Sequence, residues 1–432
     1  MSVAILVLSF LILLIIGTPI AWCIGLASLL TMLVSIPTLP ALTTVAQQLA
    51  TGLDSFALLA IPFFILAGQI MNRGGIARRL VDFARALVGN LPGGLAHVNI
   101  IAAMLFGAIA GSAAAAASAI GSFMGKEMER EGYSKEFGAA VNITSATTGL
   151  VIPPSNILIV YSLASGGVSI AALFLAGYLP GLLTGLILMI VAAITAKRNR
   201  IKDRDPALDQ TERVGILGPF LAALPSLLLL IVVIGGIVAG IFTATEASAV
   251  AVLYCLVLAF LYKEISWSIL PEIFLQAVGT TAIVAILIAT SMSMSWIMAY
   301  EQIPQAITSL LLGVSDNPVI VMILINLILL FVGIFMDMTP AVLIFTPIFL
   351  PVATSIGIAP VHFGIIMILN LCIGLCTPPV GSVLFVGVGV AGTSIERVVK
   401  PLLPFFVAML VALLIVTLVP GLSTWLPNLF GY

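Results

Sequence analysis

Long apolar stretches separated by short polar ones dominate the chain and predict membrane-spanning helices. A spanning helix needs about 20 apolar residues. Eight stretches approach this length: 2–17, 19–35, 54–71, 170–196, 214–241, 245–262, 276–299 and 400–420. Three further apolar regions are interrupted by small residues or prolines: 95–165, 318–354 and 361–390. The pattern therefore predicts an all-α polytopic membrane protein.

The composition excludes the main soluble classes. Of 432 residues, 62% are hydrophobic and 8% are charged, whereas a soluble domain carries about 25% charged residues. The net charge of −1 leaves no basic surface for a nucleic acid. Four cysteines lie in apolar runs, where we expect reduced packing residues: Cys23, Cys255, Cys372 and Cys376. The first basic residue is Arg73, so we expect the N-terminal stretch to be a retained helix rather than a cleaved signal peptide.

The placement of positive charge predicts the topology. All sixteen Lys and Arg residues fall on one face of a single threading of the chain, including those of a polar loop at 126–135 and a linker at 197–213. The loops of the opposite face carry none: 36–53, 163–169, 300–317, 355–361 and 421–432. By the positive-inside rule the basic face is cytoplasmic. Both termini then lie on the outer side of the membrane.

This topology closes only if two regions enter the membrane and return to the same face. Residues 95–130 must turn at Gly111-Ser112, and residues 318–358 must turn near Asp337–Pro340. Irregular backbone at such depth is tolerated only where it is buried in protein or faces a water-filled cavity. The sequence therefore predicts two re-entrant hairpins.

The two halves of the chain resemble each other at a separation of about 225 residues. The segment 148–154 (TGLVIPP) matches 373–379 (IGLCTPP), and the same offset places Ser112 opposite Asp337. Because the halves begin on opposite faces, the repeat is inverted. Inverted repeats with paired broken segments are typical of secondary transporters.

The repeat predicts the organisation of the chain. Its parts are first-repeat scaffold helices (1–72), a cytoplasmic interfacial arm (73–92), a first hairpin and broken helix (93–165), a closing helix (166–196), a linker (197–213), second-repeat scaffold helices (214–299), a periplasmic interfacial arm (300–317), a second hairpin and broken helix (318–390), and a closing helix with the C-terminus (391–432).

The proline pairs carry the first candidate chemistry. Pro153-Pro154 removes backbone donors inside an apolar segment and frees carbonyl groups, which suit Na⁺. The half-helix that follows presents N–H groups suited to an anion. A simple proline kink would explain either pair alone, but the twin at Pro378-Pro379 favours a functional break.

The hairpin tips carry a second set of candidate functional residues. Ser112 can ligate an ion or cap the second arm of its hairpin, and the neighbouring alanines favour close packing. Asp337 is an acid in an apolar run, for which a sodium ligand, a proton carrier and a helix N-cap all remain open. No Lys or Arg is placed near the midplane. If the substrate is an anion, bound Na⁺ would therefore supply the positive charge that it needs. His97 and His362 are expected at the interface.

Three motifs resemble the large membrane subunit of tripartite ATP-independent periplasmic (TRAP) transporters. They are 61–68 (IPFFILAG), Gly111-Ser112-Ala113 and 149–155 (GLVIPPS). The resemblance implies an ion-transporter-like fold in which a hairpin-bearing domain moves as an elevator. It also implies a small four-helix (Q-type) membrane subunit, a periplasmic substrate-binding protein and coupling to Na⁺. The location that it implies is the inner membrane of a bacterium, which makes both termini periplasmic. The implied substrate is an organic acid, a C4-dicarboxylate or, as our hypothesis, sialic acid.

The resemblance also implies site residues. The residues assigned to Na⁺ are Gly111, Ser112, Pro153, Ser155, Asn156, Asp337, Thr339, Thr377, Pro378 and Val380. The residues assigned to substrate are Ser112, Ala113, Ser155, Asn156, Thr339 and Pro379. No other cofactor is expected.

Other functions remain as alternatives. A stand-alone divalent-anion/sodium symporter or antiporter of the same two-hairpin architecture would need no binding protein. A channel would need a charged ring or a repeated filter. An intramembrane protease would need paired aspartates, a Ser–His pair or a zinc site, which the sequence does not place together.

Overall fold

A computed structural model describes residues 2–89, 91, 93–198, 216–315 and 317–432. These residues form twenty α-helices and one 3₁₀ helix, and they contain no strand. The first half contains α1 (Ser2–Ile15), α2 (Ile20–Ser35), α3 (Thr38–Leu53), the 3₁₀ helix (Phe56–Leu59), α4 (Ala60–Arg73), α5 (Ile76–Val88), α6 (Gly94–Ala110), α7 (Ala113–Arg130), α8 (Lys135–Thr148), α9 (Asn156–Ala164) and α10 (Ile170–Arg198). The second half contains α11 (Leu217–Val238), α12 (Ala244–Leu261), α13 (Leu270–Tyr300), α14 (Ile303–Val314), α15 (Pro318–Phe335), α16 (Met338–Ser355), α17 (Pro360–Gly374), α18 (Ser382–Ala391), α19 (Ile395–Leu418) and α20 (Gly421–Leu429). The predicted all-α, multi-pass class is confirmed.

Eight helical segments in the described part of the chain are long and apolar enough to cross a membrane. They are Phe56–Arg73, α10, α11, α12, α13, α15, α16 and α19. The first two predicted spans form the shorter helices α1 and α2, of 14 and 16 residues. Gly17, with φ +86°, makes the predicted turn between them.

Three predicted loops are wrong. Residues 36–53 and 421–432 contain the helices α3 and α20, and each helix begins directly after a proline that presets its first turn. The loops were inferred from their position outside the long apolar stretches, and hydropathy separates a short polar helix poorly from a loop. The polar loop at 126–135 is also shorter than predicted, because α7 continues to Arg130 and α8 begins at Lys135.

The order of elements repeats. A long helix, an arm, a hairpin, a broken helix and a closing helix occur first as α4, α5, α6–α7, α8–α9 and α10, and again as α13, α14, α15–α16, α17–α18 and α19. The second arm of each hairpin packs against the second half of the other repeat's broken helix, α7 on α18 and α16 on α9. The predicted repeat is therefore present, and its two copies interlock.

Matching glycine contacts join each hairpin to its own broken helix. A Cβ built on Gly149 would lie 2.6 Å from the Cα of Gly107, and one built on Gly374 would lie 2.6 Å from the Cα of Gly333. Only glycine allows two helix backbones to approach this closely. Most of the predicted linker (199–213), with four of its basic residues, and Asn90 lie outside the described residues.

Candidate functional site

The first hairpin tip is shaped by its own sequence. Gly111 ends α6 with φ +61°, a conformation that favours glycine. Ser112 then caps α7, its Oγ accepting a hydrogen bond from the Ala115 N–H at 3.3 Å. The capping role predicted for Ser112 is therefore present.

The second tip leaves a carboxylate in place of that hydroxyl. Asp337 stands at the N-cap position of α16 in extended backbone, but its side chain makes no capping hydrogen bond. Instead it accepts a hydrogen bond at 3.2 Å from the Oγ of Ser382, at the start of α18. The side chain is exposed to the space in front of the tip rather than buried in protein.

Both tips open on one cavity of about 340 Å³. The helices α4 and α13 form one side of it, and the tips together with the first turns of α9 and α18 form the other. Two hairpins from separate repeats thus end at the same place. This is the geometry expected of re-entrant hairpins that enter from opposite faces.

Asn156 connects the first tip to the proline break. A Cβ on Gly111 would lie 2.7 Å from the Asn156 Nδ2, so the absence of a side chain at Gly111 makes room for the amide. The Asn156 Oδ1 is buried and has no hydrogen-bond partner among the described residues. A buried carbonyl oxygen without a donor is costly. It is therefore a natural ligand for a cation at the cavity wall.

The structure brings half of the predicted site residues to the cavity. Those that line it are Gly111, Ser112, Ala113, Asn156, Asp337 and Thr339. Those that do not are Pro153, Ser155, Thr377, Pro378, Pro379 and Val380.

Two residues that do not line the cavity, Ser155 and Thr377, direct their hydroxyls to backbone carbonyls near the proline pairs. Ser155 is fully buried, and its Oγ donates to the Leu150 carbonyl at 2.6 Å. The Thr377 Oγ1 donates to the Ile373 carbonyl at 2.7 Å. These hydroxyls satisfy backbone carbonyls around the breaks, a need that proline-containing membrane helices commonly meet with Ser or Thr.

The electrostatics of the cavity rest on one group. Among the described residues that line it, Asp337 alone has an ionisable side chain, and none is basic. The nearest sequence neighbour with positive charge is Arg73, which follows the lining residue Asn72 and pairs with Glu272 at 2.8 Å. The cavity therefore reaches toward the end of α4 that was predicted to be cytoplasmic.

Sequence reasoning missed four polar residues that line the cavity. Gln69, Asn72 and Thr280 line the cavity from α4 and α13, and Ser382 lines it from the start of α18. Their signal was a polar side chain inside or at the end of an apolar segment.

His97 and His362, which were expected at the membrane interface, lie in the first turns of α6 and α17 and are buried in protein, 4% and 1% exposed. Helix α20, which was not predicted, covers His362 and supplies its hydrogen-bond partner Ser423.

An inverted repeat whose hairpin tips and broken helices surround one cavity defines a polytopic membrane protein of the transporter type. The family model described as "Tripartite ATP-independent periplasmic transporter, DctM component" matches residues 7–422. The chain belongs to this family.

Three relatives support the assignment. The chain is 55% identical to the uncharacterized protein YgiK of Salmonella typhimurium, covering 98% of this chain and 96% of that protein. It is 40% identical to the C4-dicarboxylate TRAP transporter large permease protein DctM of Pseudomonas aeruginosa, covering 94% of each. It is 38% identical to the sialic acid TRAP transporter large permease protein SiaM of Vibrio cholerae, covering 90% of each.

A solved structure shares the fold. The Alcanivorax borkumensis YdaH transporter, described as having an unusual topology, superposes with a TM-score of 0.68 at 13% identity, over 90% of each chain. At this identity the likeness concerns the fold alone.

Proposed function

We propose that this chain is the sodium-coupled permease subunit of a tripartite transporter that imports an organic acid across the bacterial inner membrane. A periplasmic binding protein would deliver the acid, and a small four-helix membrane subunit would accompany this one. The observation that carries the proposal is the cavity where the two hairpin tips meet. Its described lining residues combine acceptor oxygens with one carboxylate and include no basic side chain.

Charge is the reason for sodium coupling. An organic anion that enters this cavity meets Asp337 and finds no Lys or Arg among the described lining residues. Two like charges in a site of low dielectric repel each other strongly. Bound Na⁺ removes the repulsion and supplies the missing positive charge, so ion and substrate favour each other's binding.

The two tips provide different ion ligands. At the first tip, the unpartnered Oδ1 of Asn156 and the hydroxyl of Ser112 are oxygen ligands. At the second, the carboxylate of Asp337 and the hydroxyl of Thr339 play that part. The first site is thus neutral and the second is anionic, which makes the second the stronger candidate for Na⁺.

The division of the cavity wall supports alternating access of the elevator type. One wall belongs to α4 and α13 and the other to the hairpins and broken helices. Movement of the second group along the first would carry the site between the two faces, as in an elevator. The acid itself stays open between a C4-dicarboxylate and sialic acid, since relatives named for each are almost equally similar.

The test is uptake by proteoliposomes that contain this chain and its small partner. Radiolabelled succinate and sialic acid are supplied with the binding protein present or absent, and with an inward gradient of Na⁺ or of K⁺. We expect uptake of one acid only when both Na⁺ and the binding protein are present. Na⁺-driven uptake without the binding protein would instead support the stand-alone transporter, and uptake that K⁺ sustains equally would contradict sodium coupling.

A further inference from the structure

A second cavity, of about 500 Å³, lies at the other end of the first hairpin, away from the tips. It is bounded by α7, by the beginning of α8 and by the end of α18. Three charged residues line it, Lys126, Glu129 and Lys135, all near the loop between α7 and α8. The cavity therefore opens at the basic face, which was predicted to be cytoplasmic.

Small residues of the first repeat line this cavity, where the second repeat has larger ones. Gly121, Gly125, Gly138 and Asn142 line it. The positions 225 residues further on hold Thr346, Leu350, Phe363 and Met367. Of these, Phe363 and Met367 are fully buried. In the first repeat, a Cβ at Gly121 would meet Asn142 and one at Gly138 would meet Met128, whereas a Cβ at Gly125 would meet nothing within 4 Å. The open space in the first repeat therefore lies at Gly125.

The side-chain amide of Asn142 lines the deep end of the cavity. Asn142 is 3% exposed, and its Nδ2 donates to the Ala117 carbonyl at 2.7 Å. This bond fixes the orientation of the amide, and its Oδ1 has no hydrogen-bond partner among the residues that the structure describes. Asn142 stands seven residues along α8 from Lys135, about 10 Å deeper.

The mouth carries an uncommitted positive charge. Glu129 pairs with Lys135 at 3.3 Å, whereas Lys126 makes no ion pair with any described residue. The lining therefore has one net positive charge at its mouth and one acceptor oxygen at its base. A ligand that fits this cavity has an anionic group for Lys126 at one end and a hydrogen-bond donor for the Asn142 Oδ1 at the other.

We propose that this second cavity binds a phosphate ester that carries free hydroxyl groups, with the phosphate at Lys126 and a hydroxyl toward Asn142. Basic pockets between membrane helices at the cytoplasmic face are typical sites for anionic headgroups. The same chemistry occurs in the headgroup of phosphatidylglycerol and in a free glycerol phosphate, and the test separates these two sources.

The experiment measures binding to the purified full-length chain in nanodiscs. Discs of phosphatidylcholine are titrated with sn-glycerol 3-phosphate and with methyl phosphate, which lacks the additional hydroxyls. A second set of discs contains phosphatidylglycerol. Affinity is read from calorimetry, and the thermal unfolding midpoint is read in every disc, since a ligand that binds only the folded state raises it.

We expect glycerol phosphate to bind about tenfold tighter than methyl phosphate, because only glycerol phosphate carries the additional hydroxyls that can reach Asn142. Lys126→Gln should weaken binding of both by about tenfold. If phosphatidylglycerol raises the unfolding midpoint and prevents binding of free glycerol phosphate, the lipid is the source. If it does neither while glycerol phosphate binds, the source is the soluble ester.

A cavity-filling variant provides the control for location. Gly125→Leu places its side chain in open space, since nothing lies within 4 Å of a Cβ there. Leucine is also the residue at the corresponding position of the second repeat, Leu350. This variant should fold well. It should lose the binding of glycerol phosphate and any rise of the unfolding midpoint caused by phosphatidylglycerol. Gly235→Leu in α11, equally unhindered, should leave them intact. Binding that survives in Gly125→Leu, or no binding of either ester by the wild-type chain, would overturn the proposal.

Discussion

The close approach of α15 and α17 leaves no room for a methyl group at Gly374. A Cβ built there lies 2.6 Å from the Cα of Gly333 and 2.7 Å from its carbonyl carbon and oxygen. Carbon atoms in ordinary contact lie about 3.5–4.0 Å apart. The Gly374→Ala substitution must therefore separate the two helix backbones by about 1 Å, because no flexible side chain is present to yield.

The energetic consequence can be bounded. Overpacking of this kind costs about 1–3 kcal/mol. Replacing glycine in a helix returns at most about 1 kcal/mol, and less here because Gly374 is the last residue of α17. We therefore expect Gly374→Ala to lower the free energy of unfolding by about 1–2 kcal/mol.

The assay is an SDS titration of the purified chain, followed by tryptophan fluorescence. Gly389→Ala in α18 is the matched control, since a Cβ there meets nothing within 4 Å. We expect the control to be as stable as the wild type or slightly more stable. If the two variants unfold at the same detergent fraction, the close packing of the second hairpin on its broken helix is refuted.

Two further substitutions separate structural from ion-binding roles at the first tip. Ser155→Ala removes the donor to the Leu150 carbonyl and should lower the unfolding free energy by about 1–2 kcal/mol. The half-saturating Na⁺ concentration for uptake should stay unchanged, and a large increase would place Ser155 among the ion ligands. Gly111→Ala puts a Cβ 2.7 Å from the Asn156 Nδ2 at φ +61°. It should weaken Na⁺ activation several-fold in the same uptake assay, and a wild-type response would exclude Asn156 as a ligand positioned by this contact.

The sequence predicted the architecture because the relevant signals are local. Charge between apolar stretches, the two proline pairs and a lone acid at Asp337 identify the hairpins and breaks without any knowledge of packing. Hydropathy did not predict the helices α3 and α20. They begin after prolines and carry polar residues, so hydropathy separates them poorly from loops.

The composition of the site depended on contacts between distant residues. Asn156 meets Gly111 across 45 positions, and Ser382 meets Asp337 across the same number. The pattern of residues within a single helix does not predict contacts between two distant segments. The sequence also does not show that the hydroxyl of Ser155, a predicted sodium ligand, donates to the Leu150 carbonyl. Its role toward Na⁺ stays a prediction.

The central claim is that sodium binds between the hairpin tips and that Asp337 holds it. Its most direct test is the Na⁺ dependence of substrate uptake by the reconstituted complex with Asp337→Asn. Asp54→Asn provides the control, since Asp54 is exposed at the end of α3 and does not line the cavity. We expect the half-saturating Na⁺ concentration to rise by on the order of tenfold in Asp337→Asn alone. An Asp337→Asn complex with the Na⁺ dependence of the wild type would contradict the account.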